Sequence, residues 1–123
     1  MDDPIPQIDH GDCRQVSAIL SRVGDKWTVL IIMALQARAH RFNEIKRAVN
    51  GISQQMLTRT LKNLERDGMV SRTVRPTVPP QVEYALTDLG HSLAAPVSAL
   101  GSWALANLVG INRQRAVYDA ANA

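Results

Sequence analysis

Cysteine and aromatic residues are scarce in this 123-residue chain. The single cysteine, Cys13, excludes a disulfide framework within the chain. The three histidines are scattered, and no two stand at metal-ligand spacing on one helix. No glycine-rich phosphate loop occurs, and a Cys13–His10 pair would lack a third, orienting group. We therefore expect no metal, no cofactor and no enzymatic activity, because a hydrolase or oxidoreductase would have no site.

Long apolar runs are also absent, since no continuous stretch reaches the length of a membrane span. The N-terminus, Met1-Asp-Asp-Pro-Ile-Pro6, is acidic and lacks the basic and then apolar pattern of a signal peptide. The chain has the length of one domain, and 46% of its residues are apolar, most of them aliphatic. These features predict a soluble cytoplasmic protein with one aliphatic core and no membrane partner.

Positive charge is concentrated in the middle of the chain. Nine of the 14 Lys and Arg residues lie between Arg38 and Arg75, together with three of the 11 acids. The remainder of the chain carries more acids than bases. A basic segment of this kind is the electrostatic signature of a phosphate-binding surface, so double-stranded DNA is the expected partner.

The segment between Gly51 and Gly68 predicts a capped helix with two unlike faces. Ser53 suits the N-cap, and Gly68 suits the position just after the C-cap. One face carries a leucine stripe of helical period: Leu57, Leu61 and Leu64. The other carries amides, a hydroxyl and cations: Gln54, Gln55, Thr58, Arg59 and Lys62. Such groups bond base edges and phosphates, so this face is typical of a recognition helix in a major groove.

Three helices are predicted before this one. The first follows a cap at Asp12, the second is apolar nearly all round and should be buried, and the third leads into a turn at Asn50-Gly51. Their predicted bounds are Cys13–Val23, Lys26–Ala37 and Phe42–Val49.

Two strands are predicted after the capped helix, over Met69–Val74 and Val82–Leu86. The segment between them, Arg75–Gln81, holds three prolines that cannot donate to a ladder, so we expect a loop. We therefore predict a mainly α fold with a small two-stranded antiparallel wing, a dimeric winged helix-turn-helix. Such a fold places its second helix in the major groove and its wing on the backbone or minor groove.

A last helical region should begin after Thr87, and we expect Pro96 to kink or split it. Its apolar stripe is too long for one small domain to cover, and exposed stripes mark interfaces. We predict a flexible arm at residues 1–11, the winged domain at 12–110 with dimerisation helices at about 12–23 and 88–109, and a disordered tail at 111–123. The expected dimer contacts are Val16, Ile19, Leu20, Leu93, Val97, Leu100 and Trp103.

Five motifs follow one another along the chain: Gly24-Asp-Lys-Trp-Thr-Val-Leu-Ile31, Arg41-Phe-Asn-Glu-Ile45, Gly51-Ile-Ser-Gln-Gln-Met-Leu57, Leu61-Lys-Asn-Leu-Glu-Arg-Asp-Gly-Met-Val70 and Pro79-Pro-Gln-Val-Glu-Tyr-Ala-Leu-Thr87. With these motifs, the chain from about Cys13 to Trp103 resembles the HxlR family of bacterial transcription regulators. The resemblance implies a homodimer that binds a palindromic operator as a repressor or activator.

The resemblance also bears on Cys13. Some members of that family sense oxidants or electrophiles through a cysteine at the start of the first helix, commonly followed by proline, whereas Arg14 follows here. A cap at Asp12 would place Cys13 where the helix dipole favours a thiolate. Two interpretations stay open: a sensor of an oxidant, electrophile or other small-molecule effector, and a small packing residue.

The sequence thus predicts a dimeric, sequence-specific DNA-binding transcription regulator. The residues expected to face DNA from the capped helix are Ser53, Gln54, Gln55, Thr58, Arg59 and Lys62, with base contacts from the two glutamines and Arg59. Phosphate or minor-groove contacts are expected from Arg41, Lys46, Arg72 and Arg75. The alternative is a winged-helix scaffold for protein interactions without DNA affinity, which the basic balance of this region disfavours.

Overall fold

Five helices and three strands make up the part of the chain that the structure describes, residues 10–123 of a computed structural model. In chain order they are α1 (His10–Val23), α2 (Lys26–Leu35), β1 (His40–Arg41), α3 (Phe42–Ala48), α4 (Gln54–Arg66), β2 (Val70–Arg75), β3 (Gln81–Leu86) and α5 (Asp88–Ala121). The mainly α fold with an antiparallel wing is confirmed.

Helix α2 lies at the centre of the core. Asp25 caps it by accepting hydrogen bonds from the backbone N–H groups of Trp27 and Thr28. Three of its apolar side chains, Ile31, Ile32 and Leu35, are fully buried, and each such side chain stabilises the fold by roughly 1.5–3 kcal/mol. The prediction that α2 is buried on every side is wrong, because Leu30 and Met33 are 40% and 37% exposed. The helix also ends at Leu35, before the predicted Ala37.

A helix-turn-helix is formed by α3 and α4. The chain turns through Gly51, whose φ of +91° lies in the left-handed region that favours glycine. Ser53 then caps α4, its Oγ accepting from the backbone N–H of Met56 at 3.1 Å, as predicted. The helix ends at Arg66, and Gly68, just after the C-cap Asp67, has a φ of +78°. The N–H of Met69 donates to the carbonyl of Leu64 at 2.9 Å. That closing bond is the Schellman pattern, so both predicted ends of this helix are confirmed.

The sheet has three antiparallel strands in the order β1-β3-β2, one more than predicted. The extra strand, β1, pairs His40 with Tyr84. A strand of two residues is too short to show the alternation of apolar and polar residues, so the sequence did not indicate it. The wing hairpin runs from the pair Val70–Leu86 to the pair Arg75–Gln81, and residues 76–80 form its proline-rich tip.

Helix α5 is one continuous helix of 34 residues, so the predicted break and disordered tail at 111–123 are corrected. Pro96 lies inside the helix, which continues to Ala121. A proline removes one backbone donor, and the helix tolerates that loss here. The first third packs on the core through Ala94 and Val97. Gly90 makes this packing close, because a Cβ there would collide with the carbonyl oxygen of Met69.

The length and composition of α5 are also those of a helix able to cross a membrane, which the sequence analysis did not anticipate. Length and composition alone are weak evidence for a membrane span. Here the helix is anchored to α2, because Ser98 donates a hydrogen bond to Oε1 of Gln36 at 2.7 Å. A Cβ at Gly101 would lie 2.9 Å from the sulfur of Met33, so the two helices also pack closely at that point.

Helix α1 begins at His10, earlier than predicted. Asp12 therefore lies in its first turn instead of capping it, and Cys13 is its fourth residue. The predicted arm at residues 1–11 falls outside the described residues except for positions 10 and 11, which belong to the helix.

Candidate nucleic-acid interface

The two faces of α4 separate as predicted. Leu57, Leu61 and Leu64 are buried in the core, and Thr60, the polar residue among them, donates its hydroxyl to the carbonyl of Met56 at 2.8 Å. This internal bond satisfies the one hydroxyl on the buried face, so α4 packs without an orphaned polar group. The inner face therefore fixes the rotation of the helix and presents its other face to solvent.

One continuous surface gathers every residue predicted to face DNA from this helix. It is lined by Ser53, Gln54, Gln55, Thr58, Arg59, Lys62 and Asn63. The six helical members stand four positions apart in two adjacent rows, 54/58/62 and 55/59/63, which is why they share a face, and Ser53 is the N-cap before them. Asn63 was not predicted, although its place four residues after Arg59 was a sufficient signal. We call this set the α4 face; it holds amides, hydroxyls and two cations but no carboxylate.

A second basic group lies where α3 meets the wing. Arg41 and Arg47 line a depression of about 380 Å³ whose other side is Pro80 and its neighbours in β3. Arg47 was not predicted, and Lys46, which was, is exposed on α3 outside this depression. Glu44 adds the one acid here. The N–H of Arg41 donates to its carboxylate at 3.0 Å and lowers the pKa of Glu44 below its ordinary value, with Arg38 adding to the effect.

The two wing arginines differ in their surroundings. Arg75 is the last residue of β2, not part of the loop as predicted, and it forms a two-pronged ion pair with Glu83 at 3.0 Å for both contacts. Arg72 is exposed on the same strand opposite Tyr84. Because Glu83 already accepts from the guanidinium of Arg75, that side chain has less positive charge to offer a phosphate than Arg72.

Cys13 is exposed on α1. Its position at the end of the first turn weakens the helix-dipole argument, which depends on an earlier place in the helix. Exposure also disfavours the interpretation as a buried packing residue and keeps the thiol accessible to solvent.

The predicted dimer contacts divide into three groups by their exposure. Ile19 and Leu20 of α1 and Leu100 and Trp103 of α5 are more than half exposed, although all are large and apolar. Val97 is 5% exposed and belongs to the core of the chain itself, so its placement in the interface is corrected. Two other predicted contacts are half-buried, Val16 on α1 and Leu93, which packs against the core. Other exposed apolar residues of α5 lie within the predicted dimerisation helix, namely Leu89, Leu105, Leu108 and Val109, and two lie beyond it, Val117 and Tyr118.

Residues 10–123 contain no group of three His, Cys, Asp or Glu side chains able to hold a metal ion. The basic and amide side chains described above lie on α4, at the α3–wing junction and along β2.

These elements define a winged helix-turn-helix protein. Similarity to known proteins gives the same class. Residues 22–111 match the family model of the HxlR-like helix-turn-helix. The uncharacterized HTH-type transcriptional regulator YtfH of Escherichia coli K12 is 43% identical over 90 residues, which cover 73% of this chain and 71% of that protein. The chain belongs to the HxlR-like helix-turn-helix family, and it is a transcription regulator of the helix-turn-helix type.

Solved structures agree with this assignment. The regulator ytfH from Salmonella typhimurium superposes with a TM-score of 0.79 at 37% identity, covering 89% of this chain and 98% of that one. The redox regulator HypR in its oxidized form superposes with a TM-score of 0.71 at 39% identity, covering 76% of this chain and 96% of that one.

Proposed function

We propose that this regulator binds double-stranded DNA in a sequence-specific manner, as a homodimer on a palindromic operator in the cytoplasm, with no catalytic role. The observation that carries the proposal is the α4 face, which is polar, cationic and free of carboxylates. A solvated helix of ordinary type mixes acids with bases on its outer side. Phosphates repel carboxylates, so a surface that lacks them over three helical turns suits a major groove.

Base recognition is assigned to the first two turns of α4. The side-chain amides of Gln54 and Gln55 can hydrogen-bond the major-groove edge of adenine. The guanidinium of Arg59 can donate two parallel hydrogen bonds to guanine. The hydroxyls of Ser53 and Thr58 can hydrogen-bond bases or phosphates. Lys62, at the C-terminal end of the α4 face, is assigned to the phosphate backbone of the DNA. Further phosphate contacts are assigned to Arg41 and Arg47 at the α3–wing junction, to Lys46 on α3 and to Arg72 on β2.

The homodimer is supported by the exposed apolar residues of α1 and α5. A two-fold dimer would set its recognition helices about 34 Å apart, or a multiple of that, on one face of the DNA. The operator would then be a palindrome with the same spacing, because each subunit reads one half-site.

The direct test is selection of bound duplexes from a random pool, followed by a mobility shift on the selected sequence. We expect a palindrome, with affinity that falls steeply as salt rises. A winged-helix scaffold for protein interactions, the competing function, would show no salt-dependent binding even to random duplex. That result would refute the DNA-binding proposal.

The signal proposed for this regulator is an oxidant or electrophile acting at Cys13, which is exposed and is the sole thiol of the chain. The similarity to a redox regulator supports this choice. With one thiol, the products available are a sulfenic acid, a mixed disulfide with a small thiol, an adduct, or a bridge between two subunits. A bridge requires the two Cα atoms to lie within about 7 Å of each other.

Binding to the selected operator should be measured with and without a quinone or mild oxidant, for the wild type and for Cys13→Ser. We expect the reagent to change the affinity of the wild type and leave the variant unaffected. An identical response in both proteins, or none in the wild type, would return Cys13 to a role without signalling.

A further inference from the structure

The side chain of Lys26 lies over the ring of Trp27 at the start of α2. Its Nζ is 4.5 Å from the ring centroid, which is within the range of a cation–π contact. Lys26 is exposed, and among residues 10–123 it forms no ion pair with a carboxylate. The ammonium is therefore held in one place by a neutral ring, and its charge is open to an anion from outside the chain.

The carboxylate nearest in sequence, that of Asp25, has other partners. Its Oδ2 accepts hydrogen bonds from the backbone N–H groups of Trp27 and Thr28 at 3.1 and 3.3 Å. These bonds cap α2 and direct the carboxylate at the first turn of the helix. They also occupy donors of the helix N-terminus, so an anion at this place would be held by the side chain of Lys26 and not by the helix end.

The ring of Trp27 connects Lys26 with the turn between α3 and α4. Trp27 is half-buried against the core, and Cη2, at the outer edge of its ring, would lie 3.9 Å from a Cβ at Gly51. Gly51 is the turn residue, and Ser53, two positions later, caps α4 and lines the α4 face. Lys26 thus lies beside the N-terminal end of the α4 face, although all of α3 separates the two in the sequence.

We propose that Lys26 binds a phosphate of the DNA backbone beside the N-terminus of α4, and that Trp27 is its positioning residue. This inference rests on the proposed DNA-binding function. A helix in the major groove has a phosphate backbone on each side, and cations next to its end fix the register of the protein on the duplex.

The ring makes Lys26 better suited to this contact than a free lysine. A lysine side chain loses much conformational freedom when it is fixed, and here the ring already restricts it before DNA arrives. The ring takes none of the formal charge, and an ammonium has three donors, so Nζ can contact the ring and donate to a phosphate oxygen at the same time.

The first experiment measures the salt dependence of binding to random duplex for the wild type and Lys26→Gln. Loss of the contact should reduce the slope of log K against log salt by about 0.9 for each subunit on the DNA. The advantage of the wild type should then shrink by about 3.5-fold per subunit between 50 and 200 mM salt, which is the same slope expressed as an affinity ratio.

Two further variants serve as controls for charge. Lys26→Arg keeps the cation and can contact the same ring, so it should retain the wild-type slope. Arg113→Gln removes the same charge from an exposed position near the end of α5 and should also leave the slope unchanged. Circular dichroism and the thermal unfolding midpoint of each variant show whether it is folded.

The second experiment locates the contact through the indole N–H resonances. The chain has two tryptophans, Trp27 and Trp103, and Trp27→Phe assigns their signals. On addition of a short random duplex we expect the Trp27 signal to shift and that of Trp103, on α5, to stay. Lys26→Gln should reduce the shift. It should also cost less affinity in a Trp27→Leu background than in the wild type, because the two residues act together.

A wild-type salt slope in Lys26→Gln overturns the contact. If that variant also unfolds at a lower temperature, the pair serves only the stability of α2. A Trp27 signal that stays unchanged while the wild type binds duplex overturns the placement. Full cost of Lys26→Gln in the Trp27→Leu background overturns the positioning role. Each of these failures leaves wild-type DNA binding intact, whereas a wild type that binds no duplex refutes the proposed function itself.

Discussion

The outer faces of α4 and α5 are both open to solvent but differ in chemistry. The α4 face presents amides, hydroxyls and cations. The part of α5 from Ser98 to Gly110 presents mainly hydrocarbon, with Leu105 and Val109 76% and 67% exposed. Water hydrogen-bonds the polar groups of the α4 face, so that face is stable without a partner. Exposed hydrocarbon is unfavourable in water, so burial of the α5 surface against a partner lowers the free energy.

The comparison suggests an order of assembly. An uncovered apolar face favours permanent association, whereas a polar and cationic one favours reversible, salt-dependent contact. The α5 surface therefore suits the pairing of two subunits, and the α4 face suits an operator that is bound and released. Four predictions test this division, in order of decreasing expected effect.

The largest effect is expected on the apolar side. Trp103→Glu or Leu100→Glu places a charge in the proposed interface and should give a monomer. Operator affinity should fall by about a hundredfold or more, because the second half-site no longer benefits from linkage to the first. Sedimentation and a mobility shift measure the two effects.

The control for this pair is Asn112→Glu, an exposed position on the same helix that adds the same charge outside the expected contacts. A wild-type protein that already sediments as a monomer at micromolar concentration would contradict both the dimer and the palindrome.

On the polar side, Arg59→Ala should weaken the specific complex by roughly 1–3 kcal/mol and relax selectivity at one position of each half-site, because one bidentate base contact is lost. Competition with single-base variants of the selected operator measures this. If every sequence weakens equally, Arg59 contacts phosphate and not a base.

A smaller effect is expected from Arg72→Ala in the wing. Loss of one phosphate contact should lower affinity for operator and random DNA alike and reduce the slope of log K against log salt by about 0.9. Titrations at four salt concentrations give the slope, and an unchanged value removes Arg72 from the interface.

The smallest effect is expected from Arg75→Ala, because Glu83 already neutralises its guanidinium. We expect a change in salt slope below half that of Arg72→Ala. The matched variant Glu83→Gln frees Arg75 and should raise affinity for random duplex. A full unit of slope lost in Arg75→Ala would show that DNA displaces the ion pair.

The sequence predicted those parts of the fold that depend on local signals. Ser53 and Gly68 mark the ends of α4 because capping chemistry acts within four residues, and the leucine period orients the helix. The α4 face followed from that orientation alone, with Asn63 the one member missed.

The missed features depend on contacts between distant segments. Strand β1 exists only because His40 meets Tyr84, 44 positions later in the chain. The ion pair of Arg75 with Glu83 needs the hairpin register, which brings the two strands together. Val97 was assigned to the interface because an apolar stripe does not reveal which of its residues pack within the chain and which pack against a partner.

The unbroken length of α5 has one more consequence. A helix of 34 residues is a rigid rod of about 50 Å. In a dimer that packs through α5, the two helices bury each other's apolar residues best when they have the same length and the same spacing of apolar residues. A relative with a shorter last helix would leave one end uncovered. Cells that hold several such regulators could therefore keep them from mixing by varying one helix, while all of them retain the same DNA-reading fold.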